Sequence, residues 1–428
     1  MNFNGLSIDQ APPISAPLRF FLTAPLFGII AGFLLLLSDP TALTNRFSLE
    51  SIVSVHAITI GFLGFVMLGA LTQMLPVLAG VKIPRVKEVT TLSHILLVVG
   101  LLCMIAGLYS QSSVFALFAL LGLGGGFLIM IGAIAMAIMQ VKNFTATVRG
   151  MGVSLFFAFF TVLMGLFLLY SYMYEDFSAH HTIIANTHSV WGVFGFGGIL
   201  IIGVSFQVLP MFYVAPKFKR FCKKRVIWLI VAGLFLWFAL NAFIEPLSVF
   251  AKFWIALFFW AFATTLWKKL NARRRPISDV TVWYWRSASI FLTLGTFVWI
   301  FDEFFSSEHI VITAVLIGGG FILSIMVGML YKIVPFLVWF HLNAMGYMSI
   351  PTMNEMINKK LATLQFVLFV LSLVGFACAF FMPVILPVFA VTFILSMALL
   401  EYNIVTAALV YVRTKKTKPD FDMSAFSS

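Results

Sequence analysis

Twelve apolar runs, each about 20 residues long and able to cross roughly 30 Å of hydrocarbon as a helix, leave this chain few ways to fold. They lie at 18–38, 52–80, 90–108, 113–140, 148–173, 184–214, 224–243, 247–268, 282–301, 309–340, 361–381 and 384–412. The composition agrees: of 428 residues 62% are hydrophobic, 49 are Phe and only 10% are charged. The expected fold is an all-α integral membrane domain of twelve transmembrane helices over 1–428. A Pro-containing leader with Arg19 at the membrane edge carries no small-residue cleavage site, so the first helix is expected to stay in the protein. The longest stretch outside the runs, HLNAMGYMSIPTMNEMINKK, is only about 20 residues, too short to fold alone. Flexible interfacial packing explains its methionines better than contact with copper.

The net charge of +12 is spread unevenly. Lys and Arg crowd alternate loops: Lys82, Arg85 and Lys87; Lys142 and Arg149; Lys217 to Arg225; Lys268 to Arg275; Lys359 and Lys360; Arg413 to Lys418. The intervening loops hold Arg46 and Lys252 against Asp39, Glu50, Glu175, Asp176, Glu245, Asp302, Glu303 and Glu308. By the positive-inside rule both termini are expected in the cytoplasm, in a bacterial-type inner membrane. The basic excess thus reads as topology, aided by anionic lipid, and excludes nucleic acid as a partner. Cys103, Cys222 and Cys378 form no C-x-x-C pair and support neither a disulfide nor a thiolate metal site.

A short pattern recurs. The sixth run reads GFGGILIIGVSFQVLP from Gly195 and the tenth GFILSIMVGMLYKIVP from Gly320. Gly195, Phe196, Gly203, Gln207 and Pro210 match Gly320, Phe321, Gly328, Lys332 and Pro335. The second run keeps Gly69, Gln73 and Pro76, with its Gly64-Phe65 pair three residues closer. Arg19, Arg149 and Arg286 open the first, fifth and ninth runs with the same period. The pattern implies three four-helix units in parallel, at about 16–145, 146–278 and 279–415, with 416–428 as a cytoplasmic tail, related by a pseudo-threefold axis along the membrane normal. Gly, Gln and Pro at this spacing share a helix face. The Gly admits a neighbour and the Pro frees a carbonyl, so the motif reads first as a packing and kink device. A substrate or cofactor contact by Gln73 or Gln207 is the alternative.

Lys332 and Glu401 lie well inside their runs, where an unpaired charge is costly. They are expected to pair with each other; a proton path or a substrate counter-charge is the alternative. Of seven histidines, His180, His181, His188 and His309 sort with His56 to the outer side, and the second, sixth and tenth runs each begin with one: His56, His188 and His309. A lone His at a helix end is usually interfacial. Three on equivalent helices point to haem or metal ligation, with His180, His181 and His188 as a further candidate metal set.

Twelve spans, three four-helix units and an outer histidine on the second helix resemble subunit I of the haem-copper oxidase superfamily. The APLRFFLTAPLFG opening and the H…G…Q-x-L-P helix look more like oxidase-related offshoots of that superfamily, such as the NnrS-type haem- and copper-containing membrane proteins. The resemblance implies that His56 ligates a haem. It does not extend to the copper site: the sixth span offers only His188, the seventh no histidine and the tenth only His309. Without three imidazoles that site cannot assemble, so oxygen reduction is not expected. Aligning the sixth and tenth spans matches His188 with Thr313 and leaves His309 one turn higher. His56 with His309 and His56 with His188 both remain candidate pairs.

Two functions follow. One is a membrane protein carrying a b-type haem or copper, serving respiratory electron transfer, nitric-oxide response or oxidase assembly, with respiratory or assembly proteins as partners. The other is a permease, in which Gln73, Gln207, Lys332 and Glu401 serve a solute or proton path. No phosphate loop or Ser-His-Asp set marks an enzyme of another kind.

Overall fold

The computed structural model describes residues 11–174, 180–274, 279–304 and 309–421. Within them twelve helices are long and apolar enough to cross a membrane: α1 Ser15–Leu37, α2 Leu49–Ala79, α3 Val86–Ser110, α4 Ser113–Met139, α5 Ala146–Met173, α6 His181–Tyr213, α7 Cys222–Phe243, α8 Glu245–Asn271, α9 Val280–Phe304, α10 Ile310–Ala344, α11 Lys359–Ala379 and α12 Pro383–Thr414. The chain is a multi-pass membrane protein, as its apolar runs require. Glu175, Asp176, Arg275, Glu308 and the tail from 422 lie outside the described residues.

Lipid offers backbone groups no hydrogen-bond partner, so each span is helical and packing between spans decides the rest. Each helix packs on its successor in the pairs α1–α2, α3–α4, α5–α6, α7–α8, α9–α10 and α11–α12, while α4 joins α5, α8 joins α9, and α12 closes on α1. Inside this ring α10 packs on both α2 and α6, and α2 meets α6 through His56 on His188 and Met67 beside Gly197.

Glycines set how closely the inner helices approach the ring. A side chain at Gly61, Gly195 or Gly320 would drive into the ring of Phe27, Phe157 or Phe291, respectively. Eight residues on, Gly69 faces Phe20 and Phe21, Gly203 faces Gly150, and Gly328 faces Tyr284. The same two contacts therefore recur between α1 and α2, α5 and α6, and α9 and α10. They correct the sequence reading of α2, whose counterpart of Gly195-Phe196 is Gly61-Phe62 and not Gly64-Phe65. They also place Arg286 one turn farther along α9 than Arg19 and Arg149 lie on their helices, two residues after Tyr284 where the others precede Phe20 and Gly150.

Each inner helix widens into a π-helical stretch around its glycine: Ala57–Gly64, Trp191–Gly198 and Ala314–Leu323. All three end three residues after the glycine that meets a Phe ring. Such widened turns carry an extra residue per turn and re-aim the side chains before them.

The Lys- and Arg-rich loops share one end of the bundle, called here the basic face. Lys269 Nζ donates to the carbonyls of Pro216 at 3.0 Å and Lys217 at 2.9 Å, tying the last turn of α8 to the loop after α6. The segment after α12 is strapped to the loop after α10: the Asp420 carboxylate accepts from the amides of Met348 and Ser349 at 2.6 and 2.8 Å, and Tyr347 Oη donates to the Thr417 carbonyl at 3.0 Å. A buried polar cluster joins α9 to α12, in which Gln365 Oε1 accepts from Tyr284 at 2.5 Å and Tyr331 at 3.2 Å while Gln365 Nε2 donates to Ser396 at 2.9 Å.

Candidate functional site

At the face opposite the basic one, His56 on α2 and His188 on α6 come together. Their rings are nearly parallel, 22° apart, with centroids separated by 6.0 Å. His56 Nδ1 donates to the Ile52 carbonyl one turn back, at 2.7 Å, and His188 Nδ1 donates to the Thr161 carbonyl of α5, at 2.9 Å. A carbonyl only accepts, so both Nδ1 atoms carry the proton and both Nε2 atoms present a lone pair. Neither Nε2 has a hydrogen-bond partner among the described residues. This is how ligating histidines are held, with one nitrogen fixed by the backbone and the other free to bind. Gly165 of α5 makes room for the His188 ring, since a β-carbon there would press on Cε1 at 2.9 Å.

The other histidines go elsewhere. The Asp302 carboxylate accepts from His309 Nδ1 at 3.0 Å and from the His309 backbone amide at 2.7 Å, and the His309 ring lies near Phe380 and Phe381. His180 is exposed, and the His181 ring lies against Phe47 and Tyr172. Among the described residues no three His, Cys, Asp or Glu side chains gather as a metal site, so His180, His181 and His188 do not converge.

The expected pairing of Lys332 with Glu401 does not form. Lys332 Nζ instead donates to Asp279 Oδ2 at 2.5 Å. Asp279 lies just before α9, and its other oxygen caps that helix by accepting from the amides of Thr281 and Val282. Helix α10 has 35 residues, about 52 Å at 1.5 Å per residue, so it overshoots the bilayer and carries Lys332 level with this cap. Burial alone would push the Asp279 carboxyl up; the Lys332 charge and hydrogen bond, with Thr281 and Val282, outweigh it and hold the carboxyl below its ordinary value. Glu401 Oε2 is buried without a hydrogen-bond partner among the described residues.

Of the shared motif, Gly69, Gly203 and Gly328 serve close packing, and Pro76, Pro210 and Pro335 lie inside their helices. Gln73 is 4% exposed with neither amide atom partnered among the described residues, and Gln207 is half-buried. Between α2, α6 and α10 a cavity of about 40 Å³ is lined by apolar side chains alone. Sequence reasoning missed Asp279, which lies just outside an apolar run, and Gly165, one glycine among many in the spans.

Compared with known protein families and with characterised proteins, the sequence matches none at a significant level.

Proposed function

We propose that this protein is a degenerate, oxidase-related membrane protein that holds one metal centre between His56 and His188, for one-electron transfer and not for oxygen reduction. The observation that supports this reading is the His56–His188 pair itself. The 6.0 Å between ring centroids leaves room for one metal ion between the rings, which would be held at about 2.0–2.1 Å from each Nε2 once both nitrogens turn toward the gap. Two imidazoles complete the coordination of a haem iron, whose other ligands come from the porphyrin, or serve a two-coordinate copper(I). When bound, either group supplies one-electron chemistry. The chain's own part is to fix both tautomers through Ile52 and Thr161 and to shield the site among α2, α5 and α6.

In this reading the basic face is cytoplasmic, the histidine pair lies toward the outer side of a bacterial-type inner membrane, and the electron partner is a respiratory or assembly protein reached from that side. The permease reading loses a main support, because Lys332 is neutralised by Asp279.

Purified protein from metal-replete cells tests the proposal by absorption spectroscopy and elemental analysis. A Soret band lost in His56→Ala and His188→Ala supports haem; stoichiometric copper without that band, lost in the same variants, supports copper. A colourless preparation free of iron and copper overturns the proposal.

A further inference from the structure

A second cavity opens at the basic face. Asp279 and Thr281 at the start of α9 meet Tyr331 and Lys332 of α10 there, with Asn354 of the following loop and Lys359 in the first turn of α11. Its volume is about 80 Å³, room for several waters or one tetrahedral oxyanion. The histidine pair lies at the opposite face and takes no part in it.

Much of this lining is already engaged with itself. Asp279 Oδ1 accepts from the Thr281 amide at 3.1 Å and the Thr281 hydroxyl at 2.5 Å, and Oδ2 accepts from Lys332. Tyr331 Oη gives its proton to Gln365. What is left over is mainly donor: Lys332 has three N–H groups and spends one on Asp279, while the Lys359 ammonium and the Asn354 side chain make no hydrogen bond among the described residues. Two ammonium groups also face one carboxylate, so the lining carries one uncompensated positive charge. Glu355, the nearby acid, is exposed, lies outside the lining and accepts from Thr352. We infer that this cavity binds a small oxyanion of the phosphate class, held by Lys332 and Lys359 with Asn354.

Helix packing does not require these charges. Lys332 stands where the other inner helices carry Gln73 and Gln207. Asp279 and Thr145 likewise correspond, each five residues before the outer-helix residue that meets the packing glycine, Tyr284 and Gly150. Thr145 caps α5 without a charge, accepting from the Val148 amide at 3.2 Å. A neutral cap and a neutral amide therefore build the same contact, and a charged pair costs more to remove from water. Topology alone explains lysines in the loops of the basic face; it does not explain Lys332 within α10. Lys359 stands at the positive end of α11, which costs the helix stability but strengthens the field toward an anion. Lysine meets phosphate as a point charge, and one bound negative charge would balance the lining.

A phosphate group reaches this face either free in solution or on a lipid headgroup, and two measurements on the full-length protein tell these sources apart. The first is calorimetric titration of detergent-purified protein with inorganic phosphate at constant ionic strength. The second is native mass spectrometry after reconstitution in nanodiscs of phosphatidylcholine with phosphatidylglycerol, counting retained phosphatidylglycerol. The expected result is one anion per chain in one of the two arms, which names the source. Lys359→Gln changes an exposed residue and is expected to weaken binding at least ten-fold with the melting temperature held. Lys332→Gln, which installs the amide of the other two units, is expected to weaken it as much. Lys360→Gln, next in sequence but outside the lining, is expected to leave affinity within two-fold. No anion bound in either arm, or equal weakening by Lys360→Gln and Lys359→Gln, overturns the inference. Failure of the histidine-site proposal would leave these outcomes unaffected.

Discussion

Lys332 and Asp279 meet at 2.5 Å and bind the middle of α10 to the first turn of α9. Their side chains are 16% and 39% exposed, so the pair is neither a solvated surface bridge nor a fully buried one. Lys332→Met should therefore cost about 1–2 kcal/mol, between the ranges for exposed and buried pairs. The carboxyl is held below its ordinary value in the folded state. Its contribution is then complete above about pH 4 and is lost as pH falls through the folded-state value. Thermal unfolding in detergent checks both points: the wild type should lose this increment in acid, and Lys332→Met should lack that acid-sensitive part. Equal acid sensitivity in both would remove the pair from the account.

The paired glycines and phenylalanines make a second prediction. Gly61→Val, Gly195→Val and Gly320→Val each force a side chain into Phe27, Phe157 or Phe291. Each should destabilise by about 1–3 kcal/mol as overpacking does, to a similar extent at all three sites, and Phe27→Ala should partly rescue Gly61→Val. Melting temperatures of these four variants and the wild type suffice; a neutral Gly61→Val would mean that α1 and α2 do not approach as described.

Gln365 accepts from two tyrosines, so deleting the acceptor should be worse than deleting one donor. Tyr284→Phe is expected to cost about 1 kcal/mol, and Gln365→Leu about 2–3 kcal/mol because two buried hydroxyls lose their partner. Equal losses, read by chemical or thermal unfolding, would show that the second bond, Tyr331 to Gln365 at 3.2 Å, contributes nothing.

How much of this was legible beforehand depends on which force set each feature. The twelve helices follow from hydropathy because the bilayer allows no other spanning element here but the helix. The recurrent contacts were visible in Gly195 and Gly320 but misplaced in α2, since Gly64-Phe65 stands near Gly61-Phe62 and only packing tells which glycine meets a ring. The partner of His56 could not be chosen. His188 lies fifteen residues before Gly203, and the α2 residue at that offset from Gly69 is Ser54, so the two histidines are not counterparts under the repeat. The π-helical stretches that follow them leave no register readable from sequence alone. The Lys332–Glu401 pair is not formed because the tenth apolar run itself overshoots the bilayer, which brings Lys332 level with Asp279, a residue that lies outside every run.

Gly165 provides a test of the histidine geometry that leaves both ligands in place. Gly165→Val puts a branched side chain where the His188 ring lies, so it should shift or abolish the metal spectrum at a stability cost of about 1–3 kcal/mol. Gly132→Val, at a position open to space, is the control and should leave the spectrum unchanged. An unaltered spectrum in Gly165→Val would separate His188 from the metal centre.

The most direct measurement of the central claim compares His188→Ala with His309→Ala by metal content and X-ray absorption of the purified protein. The account predicts two imidazole nitrogens at about 2.0 Å from one metal in the wild type and in His309→Ala, and loss of that signature in His188→Ala and His56→Ala. Loss in His309→Ala with retention in His188→Ala, or no bound metal in the wild type, would contradict it.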